Sequence, residues 1–285
     1  MNMQKTISDL IAKEILPDNF IEYKQLAGGT SSSLAVICYN DNAKYVIKTN
    51  EPQVIEAESY FLDYYRDISL LPDLLYVDPS HQYIVYTFIQ GITDYPKKNK
   101  TEMLKTLVQQ LINHYKPAPN SKKWGWADDL TDSWESFLLR KVRDAKKVLH
   151  SILSEEDFHI VCQFVNDTKR QSFIDEPFLL HGDCGVHNFI FAKKQLRGVI
   201  DPTPVYGPPL YDLIYAFCSS PDNLTFDTIK SAADHFVFGK PSDELLHKEV
   251  IIGLYLRIAT GVRHHPHDLN KYLQAWSYWK NRISH

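Results

Sequence analysis

The stretch "HGDCGVHNFIF" runs from His181 to Phe191. It sets a carboxylate, Asp183, five residues before an amide, Asn188, and follows both with an apolar run. The turn "KKQ" and a second β-like run, "LRGVID" (196–201), come next, so the pattern predicts a hairpin that ends in another carboxylate, Asp201. An Asp on its own terminates a strand and an Asn caps a turn. Three oxygen-bearing side chains at one strand-loop-strand corner point instead to chemistry. Magnesium takes hard oxygen ligands, keeps several waters and completes its shell from substrate phosphates, so an amide and a carboxylate suit it. A further carboxylate off the metal can accept a proton from an attacking hydroxyl.

Upstream, the first ninety residues read as strands around one helix. "IEYKQLA" (21–27), "LAVICYN" (34–40), "YVIKTN" (45–50), "LLYVDP" (74–79) and "YIVYTFI" (83–89) are strand-like. "EPQVIEAESYFLDYYRD" reads as a helix with Val54, Ala57, Phe61 and Tyr64 or Tyr65 along one side. The order is β-β-β-α-β-β. The break "GGTSSS" (28–33) is longer than a plain hairpin needs. Gly28 and Gly29 permit close backbone approach, Thr30, Ser31 and Ser32 add hydroxyls, and the N–H groups of such a loop can cradle phosphates; alone, the loop reads sooner as a polar hairpin. Lys48 ends an apolar run, and an inward ammonium requires anionic company. Phosphates would supply it, as would Glu56 or Glu58 on the next helix. Glu58 is preferred, because it leaves Phe61, Leu62 and Tyr65 three, four and seven residues on to pack that helix.

After "QGITDYP" helical patterns dominate, at about 100–115, 132–150, 154–170, 224–238, 243–262 and 268–283. Asp132 and Glu135 have capping-box spacing ahead of Trp134, Phe137, Leu138, Val142, Ala145 and Leu149. The hairpin after Asn188 is the one β-like island in this part. The composition shift near residue 90 predicts two lobes, 1–90 and 91–285, with a cleft between them, where ligands commonly bind.

A net charge of −4 carries no polybasic excess, so neither nucleic acid nor an anionic membrane is an expected partner. The N-terminus, with Ile7, Leu10, Ile11, Ile15 and Leu16, is an amphipathic helix rather than a signal peptide. No apolar run reaches the roughly 18 residues of a membrane span. Cys38, Cys162, Cys184 and Cys218 form no CxxC pair and read as free thiols of a reducing cytoplasm. The cluster "HHPH" (264–267) contains Pro266 and lacks helical metal spacing, so it reads as a solvated turn.

Taken together, "HGDxxxxN", the hairpin ending in "VIDP", the strand order, "GGTSSS", Lys48, Glu58 and "VYTFIQG" (85–91) resemble the aminoglycoside phosphotransferase and choline kinase superfamily from about residue 20 to the end. The Asp183-to-Asn188 spacing is that of the kinase catalytic loop. The resemblance implies an α+β, bilobal protein-kinase-like fold, with a small antiparallel N-lobe bearing one helix and a larger, mainly helical C-lobe. It implies transfer of the γ-phosphate of ATP, or of GTP, to a small-molecule hydroxyl, with Mg2+, by a monomer or homodimer. Asp183 would orient or deprotonate the hydroxyl, Asn188 and Asp201 would hold magnesium, and Lys48 would contact the α/β-phosphates and pair with Glu58. Gly28, Gly29, Thr30, Ser31 and Ser32 would cover the phosphates, backbone groups of Thr87, Phe88 and Ile89 would bind the base, and Asp212 would buttress the catalytic loop.

Three features depart from the family pattern. Asp183 is followed by Cys-Gly; Cys184 has no Cys-His-Asn arrangement and reads as a core residue. The metal loop reads "IDPxxxxGxPxYD", similar to the streptomycin 6-kinase and fructosamine kinase branches. Lys48 and Glu58 are only ten residues apart, so the helix begins soon after the strand. A nucleotide-binding pseudokinase would be expected to lose one of Lys48, Asp183, Asn188 or Asp201, and a protein kinase needs a longer segment than the ten residues from Asp201 to Tyr211. From Asp243 onward four acidic residues face six basic ones, a balance that disfavours a polycationic acceptor and leaves sugars, amino-sugar derivatives and amino alcohols. The five tryptophans all lie in the second lobe, where they pack a core or offer aromatic faces to a ligand.

Overall fold

The computed structural model describes residues 2–19, 22–26, 33–39, 42–118, 121–167 and 176–282. Helix α1 (Met3–Ala12) is capped by Asn2, whose side chain accepts from the Lys5 N–H at 3.2 Å. Strands β1 (Glu22–Leu26), β2 (Ser33–Tyr39) and β3 (Asn42–Thr49) lead into α2 (Pro52–Tyr64), then β4 (Leu74–Val77) and β5 (Tyr83–Thr87). They form one antiparallel sheet in the order β1-β2-β3-β5-β4. The third strand starts at Asn42, earlier than the turn-like "DNAK" suggests.

Alternation along these strands decides where Lys48 goes. Successive side chains point to opposite faces. Ala35, Ile37, Tyr39, Ile47, Tyr83 and Val85 cover one face, where Ile7, Leu10 and Leu16 of the N-terminal segment pack on them. Val36, Cys38, Val46, Ile84 and Tyr86 cover the other and join the core that includes α2 and the helices beyond. Lys48 follows Val46 by two and so shares this inner face. Helix α2 buries Ile55, Glu58, Ser59, Phe61 and Leu62. Its buried stripe therefore lies one residue round from the predicted one, and Val54 is exposed.

The remaining helices are α3 (Lys100–Gln110), α4 (Trp134–Leu149), α5 (Glu155–Val165), α6 (Leu210–Cys218), α7 (Phe226–Ala233), α8 (Asp243–His264) and α9 (Leu269–Asn281). The cap of α4 is Ser133, which accepts from the Ser136 N–H at 3.1 Å, not Asp132. Asp132 is drawn off by Lys123. The sequence reading also missed a four-stranded sheet. Strands β6 (Trp124–Trp126), β7 (Asp129–Thr131), β8 (Phe178–Leu180) and β11 (Val205–Gly207) pair in the order β7-β6-β11-β8. Each has three residues, too few to show a period. The hairpin β9 (Phe189–Ala192) and β10 (Gln195–Val199) forms as expected.

Candidate active site

Three short segments converge beneath the inner face of the large sheet. The ammonium of Lys48 lies 2.6 Å from Glu58 Oε2 on α2 and 2.8 Å from Asp201 Oδ1 just beyond β10. Of the two candidate glutamates it is thus Glu58 that meets Lys48; Glu56 is exposed. Burial alone would push the Lys48 amine down, but Glu58 and Asp201 outweigh it and hold its pKa above the ordinary value. Burial pushes Glu58 up, against the pull of Lys48. Asp201 adopts φ +58°, a left-handed conformation that Asp tolerates better than most residues. Strain of that kind concentrates at functional sites.

The loop between β8 and β9 carries the second group. The Asn188 side chain donates through Nδ2 to Asp183 Oδ2 at 2.9 Å and to the Asp183 carbonyl at 3.0 Å. Asp183 Oδ1 accepts from the Tyr215 hydroxyl at 2.5 Å, and His187 Nε2 lies 3.1 Å from Oδ2. Burial raises the Asp183 carboxyl, but His187 and then Tyr215 outweigh it and hold its pKa below the ordinary value. Asp183 is therefore a carboxylate at neutral pH, able to accept a proton.

The loop is held from behind. Asp212, at the start of α6, accepts from the N–H groups of His181 at 2.9 Å and Gly182 at 3.1 Å, and from the Tyr115 hydroxyl at 2.7 Å. Burial raises its carboxyl above the ordinary range against the pull of these donors. Backbone bonds from Ile200 N to Asn188 O (2.9 Å) and from Thr203 N to His181 O (2.9 Å) tie the loop to the Asp201 segment. The His181 ring meets the Ile200 carbonyl at 3.0 Å and, fully buried, has its pKa pushed down to about 4. Gly182 has φ +79°, and a Cβ there would stand 2.0 Å from the Thr203 carbonyl oxygen, so no other residue fits. Cys184 is buried and burial pushes its thiol well up, the opposite of an activated nucleophile.

Two expectations concern the nucleotide side of the site. Gly28, Gly29, Thr30, Ser31 and Ser32 lie outside the described residues. In the stretch expected to bind the base, the Thr87 N–H donates to Asp73 O at 3.0 Å and the Phe88 N–H to Lys44 O at 2.7 Å. Both donors are spent in holding the strand end; Ile89 packs over Gly198, where a Cβ would be 2.5 Å from Ile89 Cδ1. The histidines at 264–267 are exposed, and among the described residues no group of three metal-ligating side chains exists. Among the described residues no helix is long and apolar enough to cross a membrane.

Three side chains around the candidate site escaped the sequence reading. Tyr215 stands one helical turn after Asp212, a spacing that places both on one face of α6. His187 directly precedes Asn188 and carried no separate signal. Lys141 sits among the apolar repeat of α4 and lines a cavity of about 380 Å3 together with Tyr215, Trp126 and Arg257. Its ammonium lies 4.6 Å from the Trp126 ring centre and 5.3 Å from that of Phe137.

Comparison with known proteins agrees with this geometry. No curated protein sequence matches the chain. Among solved structures, a thermostable mutant of the aminoglycoside phosphotransferase APH(4)-Ia, in ternary complex with ADP and hygromycin B, aligns over 96% of each chain at 16% identity, TM-score 0.56. ADP-bound APH(2'')-Ib aligns over 96% of this chain and 98% of its own at 16% identity, TM-score 0.58. Choline kinase from Cryptosporidium parvum Iowa II aligns over 99% and 96% at 11% identity, TM-score 0.61. The fold is therefore the α+β kinase-like one these proteins share. The model of the phosphotransferase enzyme family matches residues 22–244, a span that holds Lys48, Glu58, the Asp183–Asn188 loop, Asp201 and Asp212, and the chain belongs to that family.

Proposed function

We propose that the protein transfers the γ-phosphate of ATP to a hydroxyl of a small molecule, with Asp183 as the proton acceptor. The observation that carries this reading is the convergence of Lys48 on Glu58 and Asp201 beside a second pair, Asp183 and Asn188. Phosphoryl transfer requires positioning and charge neutralisation more than covalent chemistry, and these residue types supply both. The acceptor oxygen bonds to the γ-phosphorus, the bond from that phosphorus to the bridging oxygen breaks, and ADP leaves. The hydroxyl proton passes to the Asp183 carboxylate. Lys48, oriented by Glu58, meets the α/β-phosphates; the loop from Gly28 to Ser32 covers them. For the base, carbonyls of the 87–89 stretch and the Ile89 N–H are the groups to use, since Thr87 and Phe88 spend their N–H groups elsewhere.

The donor set fits magnesium. Both Asn188 side-chain bonds are donated by Nδ2, which turns the amide oxygen to other use, and Asp201 brings a carboxylate. These are hard oxygen donors of the kind magnesium accepts alongside phosphate oxygens and water. The metal would supply neutralisation of the triphosphate charge. We place the lobe boundary at residues 90/91. There Ile92 pairs with Phe191 through bonds of 2.9 and 2.7 Å, and a Cβ on Gly91 would be 2.5 Å from the Phe191 oxygen. Four cysteines without disulfides fit a reducing compartment, and we place the enzyme in the cytoplasm, as a monomer or homodimer.

The test is ADP release from Mg-ATP across sugars, amino alcohols, hydroxy acids and aminoglycosides, with Asp183→Asn beside the wild type. The expected result is acceptor-dependent release that Asp183→Asn lowers by about a thousandfold or more. Equal turnover by wild type and variant would sink the assignment.

A further inference from the structure

Charge inside the acceptor-side cavity is not balanced. The cavity of about 380 Å3 opens among α4, α6 and α8 and touches Tyr215, whose hydroxyl is bonded to Asp183. It lies at the small end of ligand pockets, the size of one sugar or amino acid rather than several linked rings. Three carboxylates and four cationic side chains line it. The carboxylates are engaged. Asp129 makes a two-point pair with Arg140, at 2.9 and 2.8 Å. Asp144 lies 2.7 Å from Lys147, and Glu249 is itself partnered.

The cations Lys141 and Arg257 have no such counterpart. Among the described residues neither lies within ion-pair distance of a carboxylate. Lys141 rests on the Trp126 and Phe137 rings alone. Arg257 donates to two neutral oxygens, the Tyr272 hydroxyl at 3.0 Å and the Ser219 carbonyl at 2.9 Å. Both side chains are half-buried. A partly desolvated cation with no carboxylate in ion-pair contact is costly to hold. Burial and, after it, neighbouring Arg140 lower the Lys141 amine to about 8, against the pull of Asp183 and Asp144. A protein retains such a pair where a ligand supplies the missing charge.

We infer that the acceptor carries an anionic group, a carboxylate or a phosphate monoester, which Lys141 and Arg257 hold while its hydroxyl faces Asp183. The inference rests on the phosphotransfer reading above and narrows its substrate class. The protein is then a kinase of hydroxylated acids or sugar phosphates, and polycationic acceptors are excluded by charge. The aromatic faces of Trp126 and Phe137 would lie against the carbon skeleton.

The experiment uses matched acceptors with saturating Mg-ATP: sugar acids and hydroxy acids, sugar phosphates, the neutral amides or parent sugars, and the corresponding amines. The expected result is kcat/KM for an anionic acceptor about 30-fold or more above its neutral counterpart. Whether the acid or the phosphate series responds tells which anion is bound. Lys141→Met is expected to raise KM for that acceptor and collapse its preference over the neutral one, and Lys141→Arg to retain the preference. The inference is overturned if neutral or amine acceptors are used as well as anionic ones, or if Lys141→Met keeps the preference. It is likewise overturned if no anionic acceptor responds while ATP binds. A protein that binds no ATP, or whose turnover survives Asp183→Asn, instead removes the phosphotransfer reading itself.

Discussion

Removing the ammonium of Lys48 leaves two carboxylates facing each other, one of them without access to water. Lys48 and Glu58 side chains are 5% and 1% exposed, whereas Asp201 is 33% exposed and can be solvated. In Lys48→Met, Glu58 escapes by taking a proton. Neutralising a carboxyl of ordinary pKa 4.5 at pH 7 costs about 2.5 pH units at about 1.36 kcal/mol each, hence about 3.4 kcal/mol. That figure is a ceiling on the damage and agrees with the roughly 3–5 kcal/mol typical of a broken buried pair. At pH 5 the same neutralisation costs only about 0.7 kcal/mol. Urea unfolding of wild type and variant at both pH values is the assay. The variant is expected to lose up to about 3.4 kcal/mol at pH 7 and up to about 0.7 kcal/mol at pH 5, less what the raised Glu58 carboxyl already costs the wild type. Lys48→Met/Glu58→Leu, which removes both charges, is expected to lie within about 1–2 kcal/mol of wild type at either pH. A loss that is the same at pH 5 and pH 7 would refute the reasoning, because it would mean that Glu58 is not what suffers.

Tyr215→Phe deletes the hydroxyl bonded to Asp183 Oδ1 and one of the influences holding that carboxyl down. The acid limb of the kcat/KM profile is expected to move to higher pH, and an unmoved limb would show that Tyr215 does not position Asp183. Gly182→Ala forces a Cβ against the Thr203 carbonyl at a positive φ, so thermal unfolding should show a loss of about 2–4 kcal/mol together with lost turnover. His181 is buried with a pKa of about 4 against 6.5 in the unfolded chain. The unfolded state therefore binds the extra proton, and stability falls as pH drops from 6.5 to 4, by about 3 kcal/mol in all. His181→Gln, measured by urea unfolding across that range, should flatten this slope; an unchanged slope would assign it to other groups.

The short motif around Asp183 was readable because its chemistry needs an acid, an amide and a second acid at close sequence distance. Lys48 and Glu58 were readable because Lys48 ends an apolar run, where an inward ammonium requires an anion, and helix packing favoured one of two glutamates. Both inferences concern local geometry, which residue spacing dictates directly. The three-residue strands of the second sheet, the Ser133 cap and the partnering of Asp132 by Lys123 were not readable in this way. Each depends on which competing partner lies closer in space.

Residue order alone is enough to specify the kinase-like order of strands and helices and the identity of the polar groups at the corner before Asp201. Burial patterns and short motifs encode these within a few turns of chain. Packing in three dimensions is what brings Tyr215 and His187 together on Asp183, engages the Thr87 and Phe88 N–H groups, and turns Lys141 and Arg257 to one cavity with no carboxylate in ion-pair contact with either among the described residues. Arg257 is 116 residues from Lys141 in the chain. No periodicity spans that distance; the packing of α4, α6 and α8 around a common space brings the two charges together.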